Sequence, residues 1–218
     1  MKSDLHILAL DTAFGEISAC MHTADGGFLT AATPEQGKTR STSIVPLLAE
    51  LLEQAGLTWK QLDLLALGAG PGAFTGLRIA AATLAGINSG LNLPMLHLSS
   101  LAITARQCDS SEAIWVLEDA RAGEVFVGCY QNGLPRCEDR CLTWHEVLEM
   151  QPGSFICHNE PPVALAGWSE QPLTISRSQA LLTTTLAELD ILDSIALLPR
   201  YPAPVYLQRS QAEKNLHG

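Results

Sequence analysis

A short pattern of residues occurs twice in this 218-residue chain and constrains its fold more than any other feature. Asp11, Gly15, Glu16 and Ile17 recur 108 residues later, close to half the chain length, as Asp119, Gly123, Glu124 and Val125. Each copy follows an apolar run and precedes another, which is the pattern of a strand, a turn and a second strand. The repeat predicts a duplicated fold with two similar lobes and a cleft between them.

The spacing of the apolar residues predicts a mixed α/β fold with crossover helices. In chain order the first half reads strand, strand, strand, helix, strand, helix, strand, helix. The first helix, from about Ser43 to Ala55, carries one apolar stripe at helical period, and the second runs from about Thr75 to Gly90. The second half opens with a predicted hairpin, Ile114–Glu118 and Glu124–Tyr130. We therefore predict a first lobe over residues 1–106 and a smaller second lobe over 107–218.

Composition limits the class of partner. The formal net charge is −10, with only 13 Lys and Arg, so the surface repels phosphate backbones and we expect no tight unaided binding of nucleic acid. There is no apolar run of about 18 residues and no signal-peptide pattern at the N-terminus. The six scattered cysteines are typical of reduced thiols, and we expect a cytoplasmic protein without membrane contact.

The glycine-rich stretch GAGPGAFTGLRIA, residues 68–80, nominally matches a dinucleotide fingerprint between a strand and a helix. That fingerprint needs an acidic residue about twenty positions on, and there is none from Leu64 to Cys108. A structural turn fits better, with Pro71 and Gly72 at the centre of a type II turn and Gly70 and Gly76 beside it.

Two further places could bind phosphate. Residues 31–39, AATPEQGKT, end like a Walker A loop at Lys38, but Pro34 and Glu35 stand where backbone N–H groups should meet the phosphate. Asp11 and Asp119 could instead face one cleft and hold a metal-nucleotide, or each could make a local turn hydrogen bond. If Asp11 and Asp119 do line an active cleft, the chain is an ATP-using actin-fold transferase or a peptidase-like enzyme. This function stays an alternative here.

Five further segments stand out: ILALDTA, LGAGPGAFTGLRIAAATLAG, LPMLHLSSLA, EDARAGEVFVGCY and APVYLQ. Together they resemble the TsaB (YeaZ) family of bacterial tRNA threonylcarbamoyladenosine biosynthesis proteins. The resemblance implies a duplicated two-lobed actin-like (ASKHA, RNase H-like) fold. It also implies a non-catalytic, activating subunit for t6A37 modification of tRNA, which docks on the TsaD-type transferase through first-lobe helices, with a TsaE-type ATPase joining the assembly.

The resemblance further implies that this chain holds no cofactor, since ATP and metal are expected on the partner subunits. The TsaD relatives carry a His-x-x-x-His metal pair, and the matching positions here are Ser100 and Thr104, which are poor ligands for iron or zinc. The old peptidase assignment of the family finds no support, because there is no HExxH and no GxSxG motif. We expect no catalytic residue and no metal ligand in this chain.

The resemblance implies an interface on the first two helices, and we expect the same helices to pair in a homodimer when the transferase is absent. Small side chains on the second helix permit close helix packing, and Arg78 is its only charge. The interface is predicted to include Ile44, Leu47, Leu48, Leu51, Arg78, Ala81, Ala82 and Ala85.

Overall fold

A computed structural model describes residues 4–33 and 40–208, which form two mixed sheets with helices on their faces. The first lobe contains β1 (Ile7–Asp11), β2 (Ile17–His22), β3 (Phe28–Thr33), α1 (Arg40–Gln54), β4 (Leu64–Gly70), α2 (Phe74–Asn88) and β5 (Met95–Ser99). The strand order is β3-β2-β1-β4-β5. β1, β2 and β3 pair antiparallel, while β1, β4 and β5 pair parallel.

The second half repeats this order. It contains α3 (Ser100–Ala105), β6 (Ile114–Arg121), β7 (Glu124–Gln131), β8 (Leu134–Pro135), β9 (Arg140–Thr143), α4 (Trp144–Leu148), β10 (Ser154–Ile156), β11 (Ser169–Glu170) and α5 (Arg177–Ile191). The pairing runs β9-β7-β6-β10-β11, again with an antiparallel hairpin followed by two parallel partners. The duplicated α/β fold predicted from the repeat is confirmed, and Asp11 and Asp119 lie at equivalent ends of β1 and β6.

Burial explains why the first sheet has helices on both faces. Alternate residues of β1 point to opposite sides, and both sets are apolar, as expected for a strand that is covered twice. Leu8 and Leu10 pack with α1 and α2, whereas Ile7 and Ala9 pack with α5. None of the helices in the described ranges is long and apolar enough to cross a membrane.

The C-terminal part of the chain returns to the first lobe, which corrects the predicted domain boundary. Position 106 does separate the two sheets, but α5 packs on the first sheet and α3 packs on the second. After α5 the chain runs back beside β4 and β5, where the Met95 N–H donates to the Pro199 carbonyl (2.7 Å) and the Val205 N–H donates to the Ala69 carbonyl (2.7 Å). The second half of the sequence therefore supplies one face and one edge of the first lobe.

The turn between β4 and α2 differs from the predicted type II turn. The Gly70–Pro71 peptide bond is cis, and the positive φ belongs to Gly70 (114°) rather than to Gly72. Gly72 is instead required by space, since a Cβ there would lie 2.5 Å from the Ala13 side chain. The glycines therefore permit close approach between the turn and the chain after β1. Helix α2 begins directly after this turn, at Phe74.

Candidate functional site

A buried ion pair occupies the place where the sequence suggested a cleft carboxylate. Asp11, the last residue of β1, accepts a hydrogen bond from Arg177 Nε at Oδ2 (2.6 Å). Its other oxygen, Oδ1, accepts from the Ser100 hydroxyl (3.0 Å). The side chains of Arg177 and Asp11 are 1% and 0% exposed, respectively. Both carboxylate oxygens are therefore engaged within the chain.

The guanidinium of Arg177 is held by α3, which lies between the two sheets. Nη1 donates to Thr104 Oγ1 (2.7 Å), and Nη2 donates to the Ser100 carbonyl (3.0 Å). Ser100 and Thr104 are the positions that the resemblance matches to the metal-binding histidines of TsaD relatives. In this chain both contact a guanidinium, a fixed cation that compensates the Asp11 charge.

Local sequence explains how the pair is assembled. Arg177 is the first residue of α5, and Ser176 caps that helix by accepting from the Gln179 N–H (3.2 Å). Gly68 on β4 is needed beside the carboxylate, because a Cβ there would overlap the Asp11 side chain. The Phe14 ring lies 5.0 Å from the Arg177 Cζ, a distance at which a cation–π contact adds to the ion pair.

Asp119, the counterpart of Asp11 in the second lobe, has a different environment. It is exposed, and its Oδ1 accepts from the Arg121 N–H (3.2 Å) in a local turn. The two aspartates share no hydrogen-bond partner in the parts of the chain that the structure describes. Within the same ranges no three His, Cys, Asp or Glu side chains come together as metal ligands. The residues present therefore do not fit a metal-nucleotide held between Asp11 and Asp119.

A second polar cluster joins the end of α3 to the second sheet. Nδ1 of His158 lies 2.5 Å from Glu118 Oε1, and Nε2 lies 2.8 Å from Gln107 Oε1. Glu118 is buried, and the backbone carbonyl of Gln107 accepts from the Thr174 N–H (2.6 Å) just before α5. This cluster fixes the approach of α5, and hence of Arg177, to the lobe boundary.

A third cluster links the lobes at the start of α3. Asp139 accepts from the Ser99 hydroxyl (2.5 Å) and from the Tyr130 hydroxyl (2.6 Å). Ser99 also caps α3 by accepting from the Leu101 and Ala102 N–H groups. Burial raises the pKa of the Asp139 carboxyl above its usual value, against the two hydrogen bonds that lower it.

The predicted interface residues fall into two groups. Five of them, Ile44, Leu47, Leu48, Leu51 and Ala81, are buried beneath α1 and α2 against the first sheet. Their stripe at helical period is the core face of these helices, so their assignment to an interface is corrected to the core. Arg78, Ala82 and Ala85 are exposed on the outer face of α2. The binding of a partner by that outer face stays a prediction.

Further residues of that outer face were not predicted from the sequence. Val45 is 46% exposed on α1, although it is large and apolar. Phe74 at the start of α2 packs against Tyr206, with ring centroids 4.7 Å apart, and Arg78 Cζ lies 3.8 Å above the Phe74 ring. The hydrophobic stripe on α1 was predicted as interface and is the core side of that helix, and the available signal for the outer face was an apolar residue off the stripe, Val45.

The cysteines do not form a reactive site among the described residues. Burial raises the pKa of the Cys157 thiol to about 12 and also raises that of Cys20, so neither is a thiolate at neutral pH. All six cysteines are free, as the composition indicated. The Walker-like residues 34–39, including Lys38, lie outside the described residues.

Three comparisons place these features among known proteins. A family model described as TsaD, tRNA N6-adenosine threonylcarbamoyltransferase, matches residues 16–148. The tRNA threonylcarbamoyladenosine biosynthesis protein TsaB of Haemophilus influenzae is 27% identical over 99% of this chain and 98% of its own. TsaB of Escherichia coli K12 is 26% identical over 98% of this chain and 99% of its own. The structure of YeaZ from Pseudomonas aeruginosa matches 93% of this chain and 100% of that chain, with a TM-score of 0.71 and 25% identity.

Proposed function

The chain belongs to the family of TsaD and its TsaB (YeaZ) relatives, and from this membership we propose that it takes part in tRNA threonylcarbamoyladenosine synthesis as a binding subunit of a TsaD-type transferase. The observation that carries the proposal is the Arg177–Asp11 ion pair. The pair engages Asp11, one of the two carboxylates that the repeat placed at a cleft, so the chain is proposed to act through its surface rather than through its own chemistry.

The cost of opening that pair supports a non-catalytic role. A metal ion at Asp11 would have to displace Arg177 and leave its guanidinium without the carboxylate. An uncompensated buried charge costs about 3–5 kcal/mol, which any ligand would have to offset. ATP and metal are therefore assigned to the partner subunits, and tRNA is contacted only indirectly by this acidic chain.

The outer face of α1 and α2 is the proposed docking surface. Its exposed residues recur every three to four positions, as one continuous strip on each helix: Val45, Ala49 and Glu53 on α1, and Arg78, Ala82 and Ala85 on α2, with Ser89 directly after α2. The small residues on α2 permit another helix to approach closely, and Gly86 has open space beside it. Two helices of a homologous lobe would complete a four-helix arrangement there.

The same surface accounts for the proposed choice of partner. Because the TsaD-type partner is a relative of this chain, its first lobe should offer a similar helix pair, and a second copy of this chain can substitute for it. We propose a heterodimer when the transferase is present, a homodimer when it is absent, and a TsaE-type ATPase joining the mixed assembly.

The experiment is light scattering after size exclusion, with the chain alone and mixed with the TsaD-type transferase of the same cell. Ala85→Glu places an unpaired carboxylate in the proposed contact, which should cost about 3 kcal/mol or more. The Kd should rise about 100-fold as a result. Ala164→Glu, an equivalent change at an exposed position of the second lobe, is the matched control and should leave the complex intact.

Unchanged assembly of the Ala85→Glu protein would contradict the docking surface. If the unaltered chain and the transferase elute separately after they are mixed, the subunit role itself is contradicted. Saturable binding of magnesium-ATP to the isolated chain, lost in Asp119→Asn, would favour the competing nucleotide-using enzyme.

A further inference from the structure

A cavity of about 650 Å³ lies between the lobes, on the side away from α1 and α2. Its walls come from the end of α3, the start of β6, the turn between β7 and β8, and the middle of α5. This volume is within the range that small-molecule sites occupy. Neither helix of the proposed docking surface contributes a residue, so the cavity does not depend on the proposed function.

One of the residues that line the cavity is Arg106, which has no ion-pair partner among the described residues. Arg106 ends α3 and rests against Gly133, where a Cβ would overlap the guanidinium and where φ is 74°. Its Nε is buried and has no hydrogen-bond partner, and the guanidinium makes no ion pair with any residue in 4–33 or 40–208. An arginine side chain keeps its charge in a protein, so this guanidinium stands on the cavity wall without a counter-ion among the described residues.

The fork of a guanidinium fits a carboxylate by two parallel hydrogen bonds. The cavity wall also carries a negative charge, that of Asp109. This residue is exposed and, like Arg106, has no ion pair among the described residues. Burial and, to a smaller extent, the negative charge of Asp109 raise the pKa of the neighbouring Cys108 thiol. The charge of Asp109 therefore acts on the cavity wall, which Cys108 also lines. A dianion would be repelled there, while a ligand with one carboxylate and one ammonium group would satisfy both residues.

Apolar and neutral groups complete the lining. Ile114 and Ile175 offer apolar contact, and Asn132 is also part of the lining. The hydroxyl of Thr183 already donates to the Ala180 carbonyl (3.0 Å), so it faces the cavity as an acceptor. We propose that this cavity binds a free α-amino acid, with its carboxylate on Arg106, its ammonium on Asp109 and its side chain against the two isoleucines.

The test uses the full chain and isothermal titration with each of the twenty L-amino acids in turn. At least one should bind saturably, and Arg106→Gln should weaken it about tenfold or more. Arg136→Gln, at an exposed arginine outside the cavity, should leave the affinity unchanged. Asp109→Asn should weaken the amino acid but strengthen the corresponding carboxylic acid that lacks the amino group.

Thr183→Trp fills the cavity from an exposed helix position and should also abolish binding, which keeps the test independent of any folding defect in Arg106→Gln. Absence of saturable binding by all twenty amino acids overturns the proposal. So does binding that survives both Arg106→Gln and Thr183→Trp. Arg106-dependent binding of inorganic phosphate without any amino acid would overturn the assignment of a zwitterion. Each of these results is distinct from the assembly measurements, because the cavity and the docking surface share no residue.

Discussion

Replacing Arg177 with methionine should destabilise the folded protein by about 3–5 kcal/mol, the cost of leaving one member of a buried ion pair without its partner. The side chain gives up three hydrogen bonds, to Asp11 Oδ2 (2.6 Å), Thr104 Oγ1 (2.7 Å) and the Ser100 carbonyl (3.0 Å). The Asp11 carboxylate, which is 0% exposed, retains only the Ser100 hydroxyl. The lost stability is a large part of the 5–15 kcal/mol typical of a folded domain.

Urea unfolding followed by circular dichroism measures this loss, and a double-mutant cycle identifies its cause. Asp11→Asn combined with Arg177→Met removes both charges, so the double variant should be about 2 kcal/mol more stable than Arg177→Met alone. Arg136→Met, at an exposed arginine, should change stability by less than about 0.5 kcal/mol. A loss under about 1 kcal/mol for Arg177→Met, or single losses that simply add, would refute the ion-pair reasoning.

Two further predictions concern titrating groups. Because burial raises the pKa of Asp139 above its ordinary 3.8, the folded state binds this proton more tightly than the unfolded chain does. The associated destabilisation is absent below about pH 4 and grows as the pH rises toward the folded value, so Asp139→Asn should flatten this part of a urea-unfolding profile between about pH 4 and 7. An unchanged profile would show that the carboxyl is not the cause. Cys157, with its pKa raised to about 12 by burial, should resist iodoacetamide in the folded protein while the half-buried Cys137 reacts, as measured by mass spectrometry of the labelled peptides. Equal labelling of both would contradict the buried environment.

Local sequence patterns predicted the elements of the fold well, because each element has its own signal. The stripe from Ile44 to Leu51 has helical period, and α1 contains it. The paired Asp11 and Asp119 turns lie at the ends of β1 and β6, and the two sheets repeat one strand order. These features depend on neighbours in the chain, which a single sequence shows directly.

The centre of the site could not be predicted, because it joins residues that are far apart in the chain. Asp11 and Arg177 are 166 positions apart, and nothing in the local pattern of either residue indicates the other. The interface residues were misassigned for a related reason, since a periodic stripe shows that a helix has an apolar face but not what covers it. For α1 and α2 the first sheet covers that face, and the outer face carries the small residues.

The return of α5 to the first sheet has a consequence for synthesis on the ribosome. The β1 residues Ile7 and Ala9 pack with Ala180 and Leu181 of α5, which is synthesised much later than β1. A nascent chain that ends before α5 has no helix for that face of the sheet, and it exposes apolar surface until α5 has been synthesised. The amino-terminal lobe thus cannot finish folding first, and the two lobes should fold and unfold as one cooperative unit.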